Sequence, residues 1–161
     1  VNINFSLNGK NVSVDVEPEK RMVDVLRENF QLTRTKAGCY AGACGVCSVL
    51  AGGRLACSCL MPAFTARGAE IVTIEGYSRS REYADILKAF LEAEYYPCEY
   101  CSAGRILAIE ALLTEHPDPS ESEILTGMSG ITCQCANYTS LVKAVEIAAF
   151  ARKMRRRGRR T

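Results

Sequence analysis

Apolar and polar residues alternate over the first sixteen positions, with Ile3, Phe5 and Leu7 on one face and Val12, Val14 and Val16 on another. A period of two is the mark of a strand with one covered side. Asn8-Gly9, between the two runs, accepts the positive φ angles of a tight turn, so this stretch predicts a β-hairpin. From Glu19 to Phe30 the period lengthens, and Met22, Leu26 and Phe30 fall on one side of a helix. Alternation returns between Cys47 and Cys59, where Gly52-Gly53 turns a second hairpin, and Glu70–Gly76 reads as one more strand.

Beyond Gly76 the period of two is gone. "REYADILKAFLEAEY" collects Ile86, Leu87, Phe90 and Leu91 on one side of a helix, and "GRILAIEALLTEH" does the same with Ile106, Ile109 and Leu113. Ser120 followed by Glu123 is a capping-box pattern that opens a short third helix. "TSLVKAVEIAAFARK" makes a fourth, with Leu141, Val145 and Ala148 inside. Four helices with short links predict a compact bundle. The expectation is an α+β chain with a sheet-and-helix domain over residues 1–76, a helical domain over 77–151, and a basic tail over 152–161.

Bulk composition changes this picture little. With 48% hydrophobic residues in 161, the chain can bury a core and is not a disordered protein. Its net charge of +2 is misleading, because the tail "RKMRRRGRR" alone holds seven basic residues. Without them, thirteen basic residues face eighteen acidic ones, a net charge of −5. The basic pI thus belongs to the tail and says little about the fold; the tail reads as a solvated end, with docking to an acidic partner surface as the alternative. No apolar run is long enough to span a bilayer, and "VNINFSLNGK" lacks the basic-then-apolar layout of a secretory leader. These features predict a cytoplasmic protein that does not enter a membrane.

Nine cysteines matter more. In a reducing compartment, closely spaced thiols bind metal more often than they form disulfides. Cys39, Cys44, Cys47 and Cys59 have the spacing C-x4-C-x2-C…C, the plant-type ferredoxin arrangement for a [2Fe–2S] cluster. Zinc sites instead favour paired C-x2-C knuckles. Gly38, Gly42 and Gly45 lie among the first three of these cysteines. They let the main chain curl close to an anionic cluster and aim backbone N–H groups at its sulfurs. Cys57, two residues before Cys59, is expected on the same strand face as a small buried side chain.

"PCEYCSAG" and "TCQCANY" supply Cys98, Cys101, Cys133 and Cys135. By themselves these four suit zinc or an iron–sulfur cluster equally. Helices expected to begin near Gly104 and Thr139 would turn their positive ends toward them, which favours an anionic group.

Taken in order, "VDVLREN…LTRTKAGC", "GACGVCSV", "SCL" and the C-x2-C followed by C-x-C resemble the small iron–sulfur subunit of the molybdenum hydroxylases, the group of xanthine dehydrogenase and aldehyde oxidase. The resemblance runs from residue 1 to about 150. It implies a β-grasp, plant-type ferredoxin-like domain followed by a four-helix domain, with one [2Fe–2S] cluster in each. It also implies a large molybdopterin-binding subunit and a medium FAD-binding subunit as partners. Electrons would pass from molybdenum to Cys98, Cys101, Cys133 and Cys135, then outward through Cys39, Cys44, Cys47 and Cys59. Cys135 matches the position that approaches the pterin. Around the second set the chain departs from the family pattern: Pro97 replaces a Gln, Glu99 a Gly, Gln134 an Arg and Asn137 a Gly.

The chain shows no glycine-rich phosphate loop and no catalytic constellation of its own. His116, the only histidine, sits in "EHPDP" and reads as a surface residue at a helix end. The basic tail has neither the histidines nor the aromatic ladder of a nucleic-acid site, so no nucleic-acid partner is expected. The expected role is electron transfer within a larger oxidoreductase, with turnover in a partner. A free-standing two-cluster carrier or redox sensor is the alternative.

Overall fold

The computed structural model describes residues 1–135 and 137–158. Five strands form one sheet: β1 (Asn2–Leu7), β2 (Lys10–Asp15), β3 (Ser48–Ala51), β4 (Arg54–Cys57) and β5 (Glu70–Val72), in the order β2-β1-β5-β3-β4. β1 and β2 pair antiparallel around Asn8-Gly9, and β3 and β4 around Gly52-Gly53. Both residues of each turn have positive φ, 53° and 79° in the first and 56° and 78° in the second. The two-residue hairpins expected from the sequence are therefore present with the twist-matched turn.

β5 runs parallel to β1 and antiparallel to β3, which stitches the hairpins into one sheet. Helix α1 (Met22–Asp24) widens at once into a π turn, Val25–Asn29, and lies across this sheet. Ile3, Phe5 and Leu7 on β1 meet Met22, Val25 and Leu26 in a closed core, with Phe30 edge-on to Phe5 at 5.9 Å. A mixed sheet grasping one helix is the β-grasp arrangement.

β5 ends sooner than the alternation suggested. Thr73 leaves the sheet because the Asn8 side chain, in the first hairpin turn, accepts its N–H at 2.8 Å. Ile74–Tyr77 then forms a short helix, α2, and turns Ile74 and Tyr77 into the second core. Four longer helices follow: α3 (Arg81–Glu92), α4 (Glu99–Glu115), α5 (Glu121–Met128) and α6 (Tyr138–Gly158). α5 opens with the expected capping box: Glu123 N–H donates to Ser120 Oγ at 3.3 Å, and Ser120 N–H to Glu123 Oε2 at 2.7 Å. No helix among the described residues is long and apolar enough to cross a membrane.

Two expectations fail at the ends of the helices. α4 begins at Glu99, five residues before Gly104, so Cys101 lies in its first turn. Gly104 does not start the helix; it is a flat spot in it, where a Cβ would stand 2.7 Å from the Gly45 carbonyl oxygen. The second failure is the tail. α6 continues through Gly158, and Arg152 is buried with its guanidinium on Glu110 and Tyr77. Lys153 pairs with Asp118 at 2.7 Å, and Arg155 pairs with Asp85. The first turn of the basic run thus closes the bundle against α3 and α4; Arg159, Arg160 and Thr161 lie outside the described residues.

The second core is not confined to helices. Val46 and Leu50, from the cysteine loop and β3, are buried with Ile106, Leu107, Ile131 and Leu141. One face of β3 serves the sheet core through Val49 while the other is roofed by α4.

Candidate metal centres

The first cysteine loop is held open by its neighbours. Arg21 donates to the Tyr40 carbonyl at 2.8 Å and stacks over the Tyr40 ring at 5.0 Å, and the Tyr40 hydroxyl donates to Asp24 at 2.8 Å. The loop so pinned wraps its own amides around a sulfur: the N–H groups of Ala41, Ala43 and Cys44 all point to Cys39 Sγ at 3.3–3.4 Å. These donors, the Ala41 amide foremost, pull the Cys39 thiol down to about 6. Main-chain N–H groups do converge on sulfur, and at Cys39 the donors are the Ala41, Ala43 and Cys44 amides.

Cys47 and Cys59 are buried together against Val23, and burial raises both thiols. The Gly42 amide reaches Cys59 and works in the opposite direction. Cys59 does not lie on a strand, as its spacing from Cys57 suggested. β4 stops at Cys57, opposite Ser48, because Ser58 turns its N–H and hydroxyl back onto the Cys47 carbonyl, at 3.3 and 2.6 Å. Cys59 follows on a single turn, Ser58–Leu60. Cys57 is half-buried beside it, with its thiol 3.9 Å from the Gly42 carbonyl and raised by burial.

In the helical half, Cys98 precedes α4 and Cys101 is buried in its first turn. Cys101 Sγ lies 3.6 Å from Cys98 Sγ and 3.2 Å from Cys133 Sγ. The Cys135 amide donates to Cys133 Sγ at 3.4 Å, and the Cys98 and Cys135 thiols interact directly. The Cys101 amide lowers Cys98, whereas burial pushes Cys101 up to about 12. None of the nine cysteines forms a disulfide.

The thiols grouped by spacing lie near one another: Cys39 with Cys44 and Cys47 with Cys59 in the loop, and the run Cys135, Cys98, Cys101, Cys133 in the helical half. Two thiolates on one metal about 2.3 Å away stand about 3.8 Å apart, and Cys101 lies near that distance from both Cys98 and Cys133, at 3.6 and 3.2 Å. Four sulfurs gathered in each half suit a diiron centre, in which each iron takes two cysteines.

The two sets touch. Thr132 N–H, next to Cys133, donates to the Cys44 carbonyl at 3.0 Å, and Thr132 Oγ1 reaches the Ala43 carbonyl at 3.4 Å. Gly45, at φ 71°, fits under the Gly130 carbonyl, where a Cβ would stand 2.2 Å away. At Gly38 a Cβ would meet Cys44 Sγ and the Tyr100 hydroxyl, both at 2.9 Å. Of the departures in the second set, Glu99 is the first residue of α4, while Gln134 and Asn137 are exposed on the loop before α6. His116 follows the last residue of α4, with Nδ1 3.2 Å from Glu123 Oε1.

Sequence reasoning missed Arg105, which is fully buried in α4, and Thr132. A lone arginine in the apolar run "GRILAIEALL" was the signal for the first; nothing local marks the second.

Residues 5–64 match the family described as 2Fe-2S iron-sulfur cluster binding domain, and residues 73–146 the family described as [2Fe-2S] binding domain. The second match places a [2Fe-2S]-binding domain over the helical half, where the sequence left zinc and iron–sulfur open. The chain is 41% identical over 148 residues to the nicotinate dehydrogenase small FeS subunit of Eubacterium barkeri, covering 92% of this chain and 94% of that one. It is 40% identical over 141 residues to a probable xanthine dehydrogenase subunit of Bacillus subtilis, covering 87% and 80%. Its fold superposes on a chain of quinoline 2-oxidoreductase from Pseudomonas putida 86 with a TM-score of 0.87, 35% identity and 96% of both chains covered.

Proposed function

This chain belongs to the iron–sulfur small-subunit family of the molybdenum hydroxylases, and we propose that it works there as a fixed electron relay between two partner subunits. As a member it is the iron–sulfur subunit of an oxidoreductase, with two [2Fe–2S]-binding domains. In our reading Cys98, Cys101, Cys133 and Cys135 hold the cluster that takes electrons from a molybdopterin centre on a large subunit. Cys39, Cys44, Cys47 and Cys59 hold the one that passes them to FAD on a medium subunit. The clusters supply one-electron chemistry; the chain supplies position, amide donors to sulfur and exclusion of water.

The hydrogen bond from Thr132 N–H to the Cys44 carbonyl carries this reading. It joins one residue beside Cys133 to a cysteine of the other set, so the two centres share a short path through bonded atoms. A shuttle that meets partners by diffusion needs one exposed centre, whereas a rigid two-centre path suits a chain held between a donor and an acceptor. Exposed aromatic and apolar side chains beside each set support docking on both sides. Tyr96, Tyr100 and Tyr138 flank the helical set, and Tyr40, Leu60 and Phe64 the other. Cytoplasmic placement is part of the same proposal, since eight thiols must stay reduced until clusters are loaded.

The test is anaerobic isolation of the chain with whatever co-elutes. About four irons per chain and two distinguishable reduced signals in electron paramagnetic resonance are expected, with a molybdenum-containing companion. Cys44→Ser should remove one signal and spare the other. Stoichiometric zinc in the helical half would defeat the ligand assignment, and a solitary, fully loaded monomer would favour the free-standing carrier.

A further inference from the structure

Two arginines are buried among the described residues, and they are treated differently. Arg152 sits on the Glu110 carboxylate. Arg105, only 1% exposed, enters none of the ion pairs of the described residues, and its Nε and Nη1 have no hydrogen-bond partner. A guanidinium does not shed its charge at any accessible pH, so it cannot escape this setting by losing a proton. A buried cation with two of its three nitrogens unpartnered is costly, and such a group calls for an anion.

The surroundings say which anion. Arg105 is one helical turn after Cys101 on α4, and both are buried. Long side chains on a helix lean back toward its N-terminus, which carries the guanidinium toward the Cys101 turn. The Tyr138 ring, three residues after Cys135, stands 5.8 Å from the guanidinium carbon. The buried Tyr95 hydroxyl is a second polar group without a partner, and it feels Arg105, Cys101, Cys133 and Tyr138 together. Two buried polar groups with unpartnered atoms therefore lie near the helical-half sulfurs.

We propose that Arg105 is the built-in counter-charge of the cluster held by the helical domain, where it stabilises the reduced state and raises that centre's potential above what the thiolates alone would set. The inference rests on the ligand assignment given above. A thiolate-ligated [2Fe–2S] centre is already an anion when oxidised and becomes more negative on accepting one electron. A fixed cation beside it favours the reduced form more than the oxidised one. Electrons from the upstream donor would thus be drawn into this centre first. Arg105 is a positioning residue for charge, not a ligand.

The test uses the full chain, loaded anaerobically with iron and sulfide and titrated with dithionite under electron paramagnetic resonance. Wild type is compared with Arg105→Met, which keeps reach and removes charge, and Arg105→Lys, which restores charge. The helical-domain midpoint should fall in Arg105→Met and recover in Arg105→Lys, while the signal abolished by Cys44→Ser keeps its midpoint. An unchanged helical-domain midpoint, or an equal fall in both centres, overturns the proposal. If Arg105→Met takes up no helical-domain cluster, uptake by Arg105→Lys supports the need for charge, and failure of both overturns it. Melting of the cluster-free chain gives an independent answer. A cation kept for an anion burdens the cluster-free protein, so Arg105→Met should melt higher; a lower melting temperature makes the arginine structural and ends the argument. Should the wild-type chain load only one cluster, the ligand assignment fails, and the melting comparison still decides Arg105.

Discussion

Replacing Gly45 by alanine tests the contact between the two cysteine sets. Gly45 has φ 71°, a conformation that costs a non-glycine residue about 1–2 kcal/mol. Its added Cβ would stand 2.2 Å from the Gly130 carbonyl oxygen, 2.8 Å from Ile131 Cγ1 and 3.0 Å from Ile131 Cα. Two of these are main-chain atoms, so no rotamer change relieves the clash, and the 130–132 segment must retreat by about 1 Å to restore ordinary contact. Overpacking of this kind adds about 1–3 kcal/mol. Gly53 is the matched control: its φ is 78°, yet a Cβ there meets nothing within 4 Å. Backbone strain is therefore common to both variants, and the difference isolates the contact. Urea unfolding of the cluster-free chain, followed by circular dichroism, should show Gly45→Ala less stable than Gly53→Ala by about 1–3 kcal/mol. In the loaded protein, Gly45→Ala should also slow electron transfer between centres, because the shift stretches the Thr132–Cys44 hydrogen bond. A difference between the two variants below about 0.5 kcal/mol would refute the steric argument.

Arg152→Met removes one partner of a largely buried pair and strands Glu110. We expect a loss of about 3 kcal/mol, the low end for such pairs because Glu110 keeps some solvent, and a melting temperature lower by about 6–12 °C in calorimetry. Adding Glu110→Leu should recover part of that loss, since both charges are then gone. In the α5 capping box, Ser120 holds the Glu123 carboxyl below its ordinary value. A lowered carboxyl contributes stability above its unfolded value and loses it as pH falls through the folded one, so Glu123→Gln should flatten the stability–pH curve between about pH 6 and 3. Ser120→Ala should cost about 1 kcal/mol at neutral pH.

What the sequence revealed was mostly local chemistry. Asn8-Gly9 and Gly52-Gly53 specify their hairpins because few other residues tolerate those φ angles, and Ser120 with Glu123 specifies a helix start through two hydrogen bonds of its own. The cysteine spacing grouped the thiols that the fold brings together. What stayed hidden was set by contacts distant along the chain. Gly104 looked like a helix boundary, but it is helical and small because the Gly45 carbonyl presses on it. Cys59 looked like a strand residue, but Ser58 ends the pairing by turning back onto Cys47. The run after Ala151 looked like a solvated end by its charge alone, and the acidic partners that fold Arg152, Lys153 and Arg155 into the bundle come from α3, α4 and the loop beyond α4. Leu50 gave no hint that β3 would be covered by helices on its second face.

The seating of Gly45 under Gly130, and of Gly104 against Gly45, bears on how such a chain can be recombined. A chimaera cut near residue 76, where the texture of the sequence changes, would separate surfaces that were shaped for each other. A working graft of a foreign helical half would need the Gly130–Thr132 segment and the Gly104 flat spot to travel with the ferredoxin loop they fit.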